Sequence, residues 1–149
     1  MKKIGDYTVR GSVRTDNEIN RIILNDGSFE TGYRVVEFVI GPHDMDNTGV
    51  NNITAKLMTD DDAAVGINWN WDNNEEIGWS AYSHDANGIF PQTFSLVDPD
   101  NLIIQDLYII ADEGGAGGDV KCNYFIRLEK YAIDDSTGAL AMVRNRSQA

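Results

Sequence analysis

The chain has 149 residues, 42% hydrophobic and 24% charged, with one cysteine and a formal net charge of -12. This is enough chain for one domain with a core that needs no disulfide or metal staple. The lone Cys122 excludes an internal disulfide, and the charge sets the body against direct contact with nucleic acid.

The opening MKKIGDYTVRG has two lysines but no apolar run behind them, so it does not read as a signal peptide. No window has the length of a membrane span. The expectation is a soluble protein made in the cytoplasm. The negative charge is unevenly placed: from Lys56 to Lys121 there is no intervening base, and that interval holds thirteen of the acids, Asp60 to Asp119.

Strand-like segments follow one another from the start. TVRGSVR sets Tyr7, Val9 and Val13 against Thr8, Arg10, Ser12 and Arg14, a half-exposed strand. A polar connector, Thr15 to Glu18, leads to Ile22, Ile23 and Leu24, which run into Asp26-Gly27, a hairpin signal. TGYRVVEFVIGP puts Val36, Phe38 and Ile40 on one face and closes at Gly41-Pro42. ITAKLMT alternates Ile53, Ala55 and Leu57 with Thr54, Lys56 and Met58.

INWNWDNNEEIGWSAYS reads as two strands joined through Asn73 and Asn74, with Ile67, Trp69 and Trp71 sharing a face. FPQTFSLV is a further short strand ending at the DPDN turn. Asn101 to Ile133 then reads as a hairpin around the glycine-rich DEGGAGGD. Its first run, Leu102 to Ala111, is apolar on both sides, which suits a strand inside a sheet or at a subunit contact. In the second run Val120, Cys122, Tyr124, Ile126 and Leu128 alternate with polar neighbours, the period of a strand with one buried face.

The expected fold is therefore all-β, an antiparallel sandwich or jelly roll of about eight strands over residues 1–135. The tail, 136–149, has no acid and carries Arg144 and Arg146. It reads as a short helix capped by Ser136 or as an extended arm.

For chemistry the sequence offers little. His43 and His84 are each followed by an aspartate, but adjacent strand residues point to opposite faces, so neither pair forms a dyad. No phosphate loop, dinucleotide fingerprint, HExxH or CxxC is present, and nothing argues for an enzyme. Cys122, on an apolar strand face, reads as a small core hydrophobe. Asp44, Asp46, Thr48 and Gly49 match the start of a calcium loop, but Ala55 stands where the closing glutamate belongs, so no cofactor is expected beyond a weak calcium candidate.

Trp69, Trp71, Trp79 and Tyr82, beside Asn68, Asn70 and Asp72, have the composition of a glycan platform. The face shared with Ile67 argues for core packing instead. Candidate contact residues are Leu102, Ile104, Leu107 and Ile109 on the doubly apolar run, and Leu140, Met142, Arg144 and Arg146 on the tail.

The segments GYRVVEFVIGP, AKLMTDD, NWNWDNNEEIGWSAY, SLVDPDNLIIQDLYIIAD and NYFIRLEKYAIDDSTGALAMVRNRSQ, in that order, resemble small virion-associated proteins of marine tailed bacteriophages. The resemblance covers most of the chain and carries over no functional residue. It implies a non-enzymatic β-sandwich with a structural role, a head decoration protein or a minor head or tail component. The expected partners are further copies of the chain, a trimer foremost, and the major capsid protein or another virion protein, with no membrane and no direct nucleic acid. A carbohydrate-binding module using the tryptophan segment is the alternative.

Overall fold

The computed structural model describes residues 2–24, 27, 30–43, 51–61, 66–85, 89–114 and 120–133. Among them are eight strands and no helix: β1 (Lys2–Arg14), β2 (Asp16–Ile22), β3 (Thr31–Pro42), β4 (Asn51–Met58), β5 (Glu76–Asp85), β6 (Ile89–Val97), β7 (Leu107–Glu113) and β8 (Lys121–Ala132). They make two antiparallel sheets, β1-β8-β3 and β2-β7-β4-β5-β6. The expected antiparallel sandwich is what the chain forms.

Its wrapping is that of a jelly roll. The pairs β4·β5, β2·β7 and β1·β8 enclose one another, while β6 bonds to β5 and also packs against β3. This nesting corrects two expected hairpins. β2 and β3, flanking Asp26-Gly27, lie in different sheets, and so do β7 and β8, flanking the glycine-rich loop. Turn residues mark where a chain reverses, not which strand receives it. Here most reversals carry the chain across the core, because each sheet has one apolar face that the other must cover.

The core lies between the sheets. Val35, Phe38 and Ile40 of β3 and Cys122, Ile126 and Leu128 of β8 meet Ile53, Ala55 and Leu57 of β4 and Leu107, Ile109 and Ala111 of β7, all buried. Val36 was expected on the inner face with Phe38. A bulge between Val35 and Glu37 shifts the register, so Val35 is buried and Val36 is exposed.

The run from Leu102 to Ala111 is not one strand. Its first part is a strap that pairs with the start of β3. Ile103 exchanges backbone hydrogen bonds with Tyr33, and the Asn101 carboxamide accepts from Val35 N–H at 2.8 Å and donates to Val35 O at 3.0 Å. Asn101 thus stands in for a strand along that stretch of the β3 edge. Asp106, buried at the end of the strap, accepts from Leu24 N–H at 2.9 Å and pairs with Arg21.

The same burial corrects the proposed contact role of this run. Ile104, Leu107 and Ile109 are covered by the chain itself and offer no surface to a partner, while Leu102 is half-buried. The tail residues Leu140, Met142, Arg144 and Arg146 lie outside the described residues, as do Asp44, Asp46 and Thr48.

The nesting also sorts charge. The three-stranded sheet is built from the ends of the described chain, and its strands carry Lys2, Lys3, Arg10, Arg14, Arg34, Lys121, Arg127 and Lys130 against Asp6, Glu37 and Glu129. The five-stranded sheet carries Arg21 and Lys56 against Asp16, Glu18, Glu76, Asp85, Asp112 and Glu113. A base-free interval in the sequence has become one side of a sandwich.

Candidate functional site

The most unusual side chain among the described residues is Lys56, wholly buried in the middle of β4. Ala55 and Leu57 point into the core, so Lys56 points to the outer face of the five-stranded sheet. A bulge in β5 brings it a partner. Leu57 stands opposite Gly78 and Met58 opposite Glu76, which leaves Ile77 as the extra residue. The insertion turns Ile77 into the core and Glu76 onto the outer face, where Nζ of Lys56 lies 3.0 Å from Oε2 of Glu76.

A buried ion pair is tolerable only when its remaining hydrogen-bonding capacity is used. Here the segment 66–75, which crosses from β4 to β5, supplies what is needed. Lys56 also donates to Asn68 O at 2.7 Å. Glu76 accepts from Asn70 N–H at 2.8 Å, from Asn70 Nδ2 at 3.0 Å and from Trp79 Nε1 at 3.1 Å. The pair therefore pins this segment across the outer face of the sheet.

The segment is a loop and not the strand expected over INWNWD. Asn73 N–H donates to Asn70 O at 2.9 Å and Glu76 N–H to Asn73 O at 3.1 Å, closing tight turns with no ladder partner. Its alternating tryptophans are used for packing onto the sheet. Trp69 stacks on Phe94 of β6 with centroids 5.7 Å apart, and Trp71 meets Trp79 edge-on at 6.0 Å. Trp71 remains 62% exposed, and Phe94 and Leu96 on the edge strand are 45% and 42% exposed. An apolar surface rimmed by the exposed Asn68 and Asp72 results.

Trp69, Trp71 and Trp79 are brought together, and Tyr82 is not. It stands opposite Ile53 on the inner face and packs against the core. Trp79 is buried, so it serves as a support for Trp71 and not as a platform. Phe94, Leu96 and the Lys56–Glu76 pair were missed in the sequence. The available signal was a lysine in the middle of the apolar alternation ITAKLM.

The histidines stay apart. His43 follows β3 in the three-stranded sheet, and His84 lies on β5 opposite Asn51. Cys122 is buried in the core, and burial pushes its thiol up to about 12, which favours the neutral thiol of a small core hydrophobe. Among the described residues no group of three or more His, Cys, Asp or Glu could hold a metal ion, and no helix is long and apolar enough to cross a membrane.

Together the fold and this surface define a jelly-roll sandwich that presents a braced aromatic loop on the outer face of its five-stranded sheet. Comparison with protein-family models, curated proteins and solved structures gave no match.

Proposed function

We propose that the chain is a non-enzymatic structural protein of a bacteriophage particle, a head decoration or minor head or tail component that works by holding other protein surfaces, its own copies included. The observation that carries the binding role is the contiguous exposed apolar surface of Trp71, Phe94 and Leu96, braced by a wholly buried ion pair. Rigid aromatic anchors with a polar rim are what protein interfaces use, because little conformational freedom is lost on contact. The virion setting rests on the resemblance of the segments quoted above. Mass spectrometry of purified particles tests it. A copy number matching the major capsid protein supports decoration, a few copies move the chain to the neck or tail, and absence removes the virion reading.

A second reading is favoured by one feature, the exposed Trp71 ring beside Asn68 and Asp72, which offers a stacking face and hydrogen-bonding groups to a sugar. Glycan-array binding that disappears in a folded Trp71→Ala variant would support it. An array with no binding would sink it.

A further inference from the structure

We infer that the two outer faces of the sandwich bind each other between copies: the Trp71-Asp72 turn of one molecule docks in a basic groove on the three-stranded sheet of the next. This deepens the self-assembly part of the proposed function and rests on it.

The groove, about 670 Å³, lies over the outer face of β1, β8 and β3, and no residue of the five-stranded sheet lines it. The strand register gives its plan. Arg10, Phe125 and Val39 stand in one row, and Ser12, Asn123 and Gly41 in the next. Arg14 and Lys121 stand just beyond the groove's lining in the row after that, directly opposite each other. Phe125 is 38% exposed on the floor, and a side chain at Gly41 would meet nothing within 4 Å, so the space above is open.

Like charges opposite one another on neighbouring strands weaken a sheet. Arg10, Arg14 and Lys121 nonetheless make no ion pair among the described residues. Two of the three acids of this sheet serve its other end, where Lys3 lies 2.9 Å from both Asp6 and Glu129, and the third, Glu37, stands in the row beside the groove, 3.9 Å from Arg127. The Lys3 hydrogen bond, reinforced by the one from Tyr131, holds the Glu129 carboxyl below the usual range, so that carboxylate is already committed. Arg10, Arg14 and Lys121 therefore border an aromatic floor without an ion-pair partner among the described residues.

An occupant needs an apolar group and negative charge side by side. Nucleic acid would have to approach a body of net charge -12. The chain itself has the required combination on its opposite face, where the 62% exposed Trp71 is followed by the exposed Asp72, and the base beneath the loop, Lys56, is buried and paired with Glu76. The two faces point in opposite directions, so the contact is head-to-tail and builds a ring or a filament.

Sedimentation velocity of the full chain tests this, with circular dichroism confirming that each variant folds. Wild type should associate with rising concentration, and both Arg10→Glu/Lys121→Glu and Trp71→Ala should weaken association by tenfold or more. The decisive arm is a mixture of the two variants. Each retains the half that the other lacks, so a mixture should give one-to-one dimers and nothing larger. Should the charge-reversed double variant fail to fold, Arg14→Glu takes its place in the mixture.

A monomeric wild type, variants that associate like wild type, or a mixture that stays monomeric would overturn the proposal. So would an oligonucleotide that binds the groove while the chain shows no self-association. The virion reading fails separately: association as described in a protein absent from particles removes the virion role and leaves the contact. A monomer found in particles does the reverse.

Discussion

At the scale of single residues, Glu113 pays a cost that its position does not return. It ends β7 opposite Ile53 on the side of the core, is 5% exposed, and its Oε2 has no hydrogen-bond partner among the described residues. Burial raises its pKa, and the neighbouring Asp112 adds to the rise. A carboxyl whose folded pKa lies above its unfolded one costs nothing while both states are protonated. The penalty grows as pH rises through the ordinary value of 4.5 and is complete once the folded group has ionised. Glu113→Gln should therefore stabilise the protein by about 1 kcal/mol at neutral pH, the order of the extra cost of an unpaired buried group when it is charged. The gain should vanish below pH 4.5, which calorimetry at the two pH values would read. An equal gain at both would mean that the charge is not the cause.

At the scale of elements, the loop 66–75 keeps its shape through the Lys56–Glu76 pair and not through its own propensities. Lys56→Met leaves Glu76 as a buried, uncompensated charge, which should cost about 3–5 kcal/mol in urea unfolding. It should also shift tryptophan fluorescence to longer wavelength as Trp69 leaves Phe94. Lys56→Met/Glu76→Gln should recover most of that loss, since the amide oxygen can still accept from Asn70 and Trp79. A cost under about 1 kcal/mol for the single change would place the pair among surface-like ion pairs and leave the loop braced by its aromatic contacts alone.

The sequence made this loop hard to see for a physical reason. INWNWD has the period of a strand, and a period of two arises whether alternate residues face a core or press onto the outside of a sheet. The bulge at Ile77 was equally silent. The alternation of EIGWSAYS is unbroken, and only the register against β4 shows that Glu76 has changed faces. By contrast, the span of β3 was legible from Thr31 to Pro42, because Pro42 closes the strand, although the bulge that turns Val36 outward was as silent as the one at Ile77.

At the scale of the whole molecule, strand content and fold class were open to reading while sheet membership was not. Apolar alternation is local, but the pairing of β1 with β8 joins the two ends of the described chain, and no short-range signal at Asp26-Gly27 or at the glycine-rich loop encodes it. The bipolar charge was half visible in the same way: the base-free interval was plain in sequence, and its concentration in one sheet required the nesting.

That arrangement gives two salt effects of opposite sign. Acids crowded into one sheet and its loops repel one another within each molecule, so screening should raise the melting temperature of the dilute monomer as salt goes from about 0.01 M to about 0.1 M, where the Debye length falls from about 30 to about 10 Å. The head-to-tail contact joins unlike faces and should weaken over the same range. A chain with well-mixed charges would show little of either effect. Scanning calorimetry and sedimentation on one set of samples separate the two. If association strengthens with salt while the melting temperature rises, the contact is held by Trp71, Phe94 and Leu96 through apolar burial, and the opposed charges of the two sheets do not align it.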